Sequence, residues 1–211
     1  MRIAILGIEL SQLVCAHTIF DLNPHAEVHL ISERAEAGLI GELPGLISQP
    51  LSNNIPNEWL GDLGSQMPTA SDTAVRRSWV EKALATKLVE RGAELHLRTT
   101  INQNKSKLGV TITFAGAGSS SGSTMLVEKV ITKPENPHSN HWCGGVHNEE
   151  LTSSDYEGHR PDGLVEIWWP AEQEPPRRNG KWLQLMDWNG EDPLLSLEQE
   201  VELGRSLAST A

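Results

Sequence analysis

The chain has 211 residues, 38% of them hydrophobic and 21% charged, with a net charge of -11 and a pI near 5.1. That length holds one large core, or a domain of about 130 residues with a smaller appendage. The acidic balance excludes nucleic acid as a partner without a local basic patch, and the nearest to one, Arg76-Arg77, is too small. No apolar run approaches the roughly 20 residues that a membrane-spanning helix needs. Residues 3–8 are cut short by Glu9 with no cleavage pattern after them, so the expected location is cytoplasmic. With Cys15 and Cys143 as the only cysteines, no disulfide framework organises the fold, and Cys15 reads as a small buried hydrophobe.

In chain order, Ile3-Ala4-Ile5-Leu6 is a short apolar run bounded by Gly7, as in a strand buried on both faces. Leu10, Val14, Ile19 and Phe20 recur at near-helical spacing until Asn23-Pro24 stops them. Val28-His29-Leu30-Ile31 is the next strand and ends at Ser32-Glu33-Arg34. Such a β-α-β unit implies parallel strands joined by a right-handed crossover.

Residues 35–75 are rich in Gly, Pro, Ser and Asn, and an aperiodic stretch of that length is often functional. Ser78-Trp79-Val80-Glu81 then reads as a capping box opening a helix with Val80, Leu84 and Leu88 on one face and Gly92 as its stop. Residues 94–97 make a third parallel strand. Residues 108–115 and 125–131 alternate like strands around the flexible GAGSSSGS, an antiparallel meander whose last strand returns to the sheet.

Beyond Pro134-Glu135-Asn136-Pro137 the character changes, with five of the seven tryptophans in the final 70 residues or so. Residues 164–169 and 181–188 read as two paired strands, with Asn179-Gly180 as a turn before the second. Residues 196–208 form a terminal helix capped by Ser196 with Gln199. The expected fold class is therefore α/β: a Rossmann-like parallel sheet with an inserted antiparallel β-meander and a small C-terminal β-rich segment ending in a helix. The expected domains are 1–135, dinucleotide-binding, and 136–211, tryptophan-rich.

Strand, glycine turn, helix and a second strand ending in Glu33, followed by a loop and VRRSWVEKALATKLVERGAEL, resemble the FAD-binding half of the geranylgeranyl reductase and flavin monooxygenase superfamily over about residues 1–135. The resemblance implies FAD, with NAD(P) as an alternative dinucleotide. Its pyrophosphate would lie at the turn made by Gly7, Glu9, Leu10 and Ser11. Its ribose would lie at Glu33, beside Arg34, and its phosphates near Arg76 or Arg77. The bland alternatives are a solvated Glu33 and ion pairs from the two arginines to Asp72 or Glu81.

Positions 7–12 read G-I-E-L-S-Q, with Glu9 and Gln12 where the fingerprint has its second and third glycines. Glu9 brings a negative charge toward the phosphate site, and like charges at about 4 Å repel by roughly 1 kcal/mol in water and several times that at a protein surface. Residues 128–135, EKVITKPE, lack the glycine that the family places near its flavin, and the only Gly-Asp pair is Gly61-Asp62, in the wrong part of the chain.

His138, His141, Cys143 and His147, with His159 further on, match no metal-ligand spacing, so no metal is expected there. Alternation puts Trp168 and Trp169 on opposite faces of one strand, which suits an aromatic wall for a flat ligand or, as the stronger expectation, a homodimer interface. No side chain is marked as a proton donor. Two functions follow: an FAD-dependent oxidoreductase-like protein, or a cofactor-free binding or oligomerisation module on the same scaffold.

Overall fold

The computed structural model describes residues 1–39, 43–61, 66–135, 140–148, 155–176 and 181–211. It divides into two compact units, Met1–Leu39 with Glu81–Glu135 and Val201–Ala211, and Ile40–Val80 with Asn136–Glu200. One break falls after residue 135, residues 40–80 group with the second unit, and the last eleven residues belong to the first.

In the first unit, β1 (Arg2–Leu6) lies between β2 (Glu27–Ile31) and β7 (Lys129–Thr132), and β3 (Glu94–His96) lies outside β2, all parallel. Ile3, Ala4 and Ile5 are fully buried, as a central strand covered on both faces requires. α1 (Leu10–Leu22) stops at Asn23, whose amide bonds Ile19 O at 2.8 Å. α4 (Arg77–Glu90) buries Val80, Leu84 and Leu88 and ends before Gly92, whose φ of +99° is the left-handed stop. A three-stranded antiparallel sheet, β4 (Thr99–Ser106), β5 (Gly109–Gly116) and β6 (Thr124–Val127), covers one face, with Ile112, Phe114 and Val127 packed against Ala4 and Ile31. The meander's last strand returns to β1 as expected, while β4, too polar to read as a strand, is an addition.

The second unit carries two short helices, α2 (Leu51–Asn54) and α3 (Asn57–Leu60), and a four-stranded antiparallel sheet. Its order is β11 (Gln184–Asn189), β8 (His141–His147), β10 (Val165–Pro170), β9 (Glu157–His159). The two tryptophan-bearing strands expected to pair directly are separated by β8, which bonds both. One face packs Trp142, Val146, Trp168 and Met186 against Leu46 and Ala74. The terminal helix, α5 (Ser196–Ala208), runs as expected.

Neither capping box lies where the sequence puts it: α4 starts at Arg77, so Ser78 is its second residue, and α5 starts at Ser196 itself, with the Gln199 amide bonded to Leu195 O rather than to a Ser196 cap. The Asn179-Gly180 turn, His138 and Asp62 lie outside the described residues.

Candidate functional site

The C-terminal ends of β1, β2 and β7 meet at the head of α1, the crevice where open α/β sheets receive ligands. Gly7 leaves β1 with φ +111°, its amide bonded to Ile31 O at 2.8 Å. A Cβ at Gly7 would lie 2.8 Å from Gln12 Nε2 and 2.9 Å from its Cδ, so the Gln12 side chain already fills the turn. Gln12 is 4% exposed, and Ser11 Oγ donates to its Oε1 at 3.4 Å, which fixes it there. Leu10 is fully buried.

Glu9 is the N-cap of α1 but makes no side-chain cap bond. Its carboxylate turns outward to Arg34 Nη2 at 2.8 Å and Lys133 Nζ at 3.4 Å. Arg34 follows β2 and Lys133 follows β7, so a carboxylate of the chain itself holds two cations beside a helix N-terminus, where a pyrophosphate would otherwise draw on them. Glu9 and Arg34 are 30% and 43% exposed as side chains. At that exposure an ion pair contributes only about 0.2–1 kcal/mol, a lock that a strong anion can open.

The remaining residues of the expected site divide between the two units. Glu33 is exposed just past β2. Arg76 lies over the Trp79 ring, 5.3 Å from its centroid. Arg77 is 4% exposed and donates to Pro44 O at 3.3 Å and Ser196 Oγ at 3.1 Å, which makes it a structural strut of the second unit.

A groove of about 640 Å³ opens on the other face of the second sheet, lined by Cys143, Trp169, Trp182, Leu185 and Asp187 among others. The alternation expected of Trp168 and Trp169 holds: Trp168 is fully buried in the core, and Trp169 stacks on Trp182 at 5.3 Å with 26° between the rings. His141, Cys143 and His147 all lie on β8, at odd-numbered positions that share this face. His141 Nε2 lies 2.7 Å from Asp187 Oδ2, and desolvation followed by the Asp187 charge raises the Cys143 thiol pKa, the opposite of the shift that activates a thiol.

Sequence reasoning also missed a buried network. Glu166, fully buried, accepts from Gly45 N and Trp168 Nε1, each at 2.7 Å, and pairs with Arg160, whose Nε donates at 2.9 Å. A Glu between apolar residues in LVEIWW is the one signal that pointed to it.

The fold and the crevice define an α/β protein with a Rossmann-like architecture, and solved structures share it. A flavoprotein/dehydrogenase from Cytophaga hutchinsonii matches with a TM-score of 0.67 and 9% identity over 100% of this chain and 77% of its own. CabE, an aromatic hydroxylase from angucycline biosynthesis, matches at 0.61 and 14% over 99% of this chain and 62% of its own. OxyS, an anhydrotetracycline hydroxylase from Streptomyces rimosus, matches at 0.56 and 13% over 100% and 62%. This chain thus spans less than two thirds of the length of either hydroxylase. No protein-family profile and no curated protein matches the sequence. At these identities the likeness shows the fold.

Proposed function

We propose that this chain is a binding protein on the flavin-monooxygenase scaffold that does not hold FAD or NAD(P) tightly at residues 7–12. The observation that carries this is Glu9, whose carboxylate takes Arg34 and Lys133 at the head of α1 while Gln12 fills the glycine turn. The residues present do not fit a tightly bound dinucleotide, and no catalytic step is derived through one. The groove beside Trp169 and Trp182 receives a flat, largely apolar ligand, with Asp187 offering an acceptor at its rim.

A second reading, an FAD-dependent oxidoreductase, is favoured by the backbone of the same turn. Gly7 has the positive φ of a phosphate turn and the first amides of α1 have no Glu9 side-chain cap, so the N-terminus is still able to bind an anion. In that reading Glu33 takes the ribose, and the chain is an oxidoreductase of the kind the sequence resembles.

The visible spectrum and a cofactor titration separate the two. The purified chain is expected to be colourless and to bind added FAD weakly. Glu9→Gly removes the repulsion and frees both cations, so it should tighten FAD binding by about 1–3 kcal/mol, roughly tenfold to a hundredfold. A chain that purifies yellow with stoichiometric FAD overturns the first reading and establishes cofactor binding. An unchanged dissociation constant in Glu9→Gly would show that Glu9 does not face the phosphate site.

A further inference from the structure

On the sheet face covered by the meander, one side chain of β2 meets two of β3 from more than sixty positions away in sequence. The parallel register sets His29 of β2 beside Glu94 of β3, and His96 lies two residues further along the same face. His29 Nδ1 is 3.2 Å from His96 Nε2 and 3.5 Å from Glu94 Oε2, and His96 Nε2 is 3.7 Å from the same oxygen. A tetrahedral metal with ligand bonds of about 2.0–2.1 Å has ligand-to-ligand edges of about 3.3–3.4 Å. The observed sides straddle that value, one just below it at 3.2 Å and two above it at 3.5 and 3.7 Å. A hydrogen-bonded pair needs only one short contact, whereas here the carboxylate oxygen stands nearly equidistant from both ring nitrogens, which is the geometry of a tripod.

The supports around the triangle hold it in place. His96 Nδ1, the nitrogen facing away, meets Ser120 Oγ at 2.8 Å, which orients the ring as outer partners orient metal-bound imidazoles. The His96 ring also stacks on Phe114 at 4.7 Å. His29 is 7% exposed and its Nε2 has no hydrogen-bond partner, so Nδ1 alone anchors that buried ring, and it points into the triangle. The nearby Arg2 and Glu27 are spent on each other, at 2.5 Å. Glu94, 67% exposed as a side chain, leaves the fourth corner open to water.

We infer that His29, Glu94 and His96 form a binding site for a divalent transition metal of the zinc class, which ties the three-residue edge strand β3 to β2. Two imidazoles and one carboxylate with an open position are a donor set that zinc takes. The inference is independent of the flavin question, since none of these residues belongs to the α1 turn.

The test uses the whole chain, stripped with chelator and titrated with Co²⁺ for its visible ligand-field bands, then with Zn²⁺ to displace it. One equivalent is expected to bind with a tetrahedral spectrum, and Zn²⁺ is expected to raise the melting temperature, because a ligand that binds only the folded state stabilises it. Ser120→Ala should weaken binding by roughly 10–100-fold, as loss of an outer partner does, and Glu94→Gln or His96→Gln by more. Glu94 is exposed, so its variant is expected to fold as the wild type does by circular dichroism. Stoichiometric metal binding retained by both Glu94→Gln and His96→Gln would place the metal elsewhere and overturn the assignment. So would a folded wild type that takes up neither ion at micromolar concentrations.

Discussion

His17 is fully buried on α1, its Nε2 3.1 Å from Leu84 O and its Nδ1 3.0 Å from Arg91 Nη1. An arginine can only donate, so Nδ1 accepts and carries no proton, and Nε2–H donates to the carbonyl. Burial first, with the Arg91 charge behind it, lowers the pKa to about 4, whereas the unfolded chain has the ordinary 6.5. Between those values the unfolded state binds the extra proton. The stabilisation is therefore complete above about pH 6.5 and is lost as pH falls toward 4. Lowering the pH from 7 to 5 should cost about 2 kcal/mol through this residue. Urea denaturation at the two pH values should show that loss, with a flatter profile for His17→Gln. The Glu166–Arg160 pair is a second buried polar device. Removing one partner strands the other charge, so Glu166→Gln should lose about 3–5 kcal/mol, whereas a second change, Arg160→Met, should restore most of it. Chemical denaturation of the single and double variants checks the sign of the coupling.

At the scale of elements, β8 explains why sequence patterning failed in the second unit. HWCGGVH has two adjacent glycines and three polar or weakly β-forming residues, so neither propensity nor alternation marks it as a strand. It is one because large rings from other segments need the space its glycines leave. A Cβ at Gly144 would lie 2.8 Å from the Trp168 ring, and one at Gly145 would strike Trp182. Gly144→Ala should therefore destabilise by about 1–3 kcal/mol through overpacking, with loss of the Trp168 signal in near-ultraviolet circular dichroism. An unchanged melting temperature would mean that Trp168 has room to move. The first unit was more legible. Continuous apolar strands, Asn23-Pro24 and Gly92 are local signals, and β1, α1, β2, α4 and β3 fall where those signals put them.

For the molecule as a whole, the homodimer expected from the tryptophans acquires different residues. Trp168 is core and Trp169 is covered by Trp182, so among the described residues of the C-terminal segment a dimer would be built on Leu183 and Leu185, 60% and 65% exposed just before and within the edge strand β11. Its expected signature is a concentration-dependent species in sedimentation velocity that Leu185→Asp dissociates. A single 23.2 kDa species throughout would instead leave this edge to the ligand groove.

The sequence by itself determined the β-α-β start, the return of the meander to the sheet, the opposed faces of Trp168 and Trp169, and the presence of a charge in the turn after β1. Each follows from residue type and short-range period, which act through neighbours within a turn or a pleat. The tertiary structure alone decided what that charge does, since Arg34 and Lys133 reach Glu9 from the ends of two other strands. It alone brought His29 to His96 across 67 positions, because a parallel register is set by how strands are buried together and is written in neither strand separately.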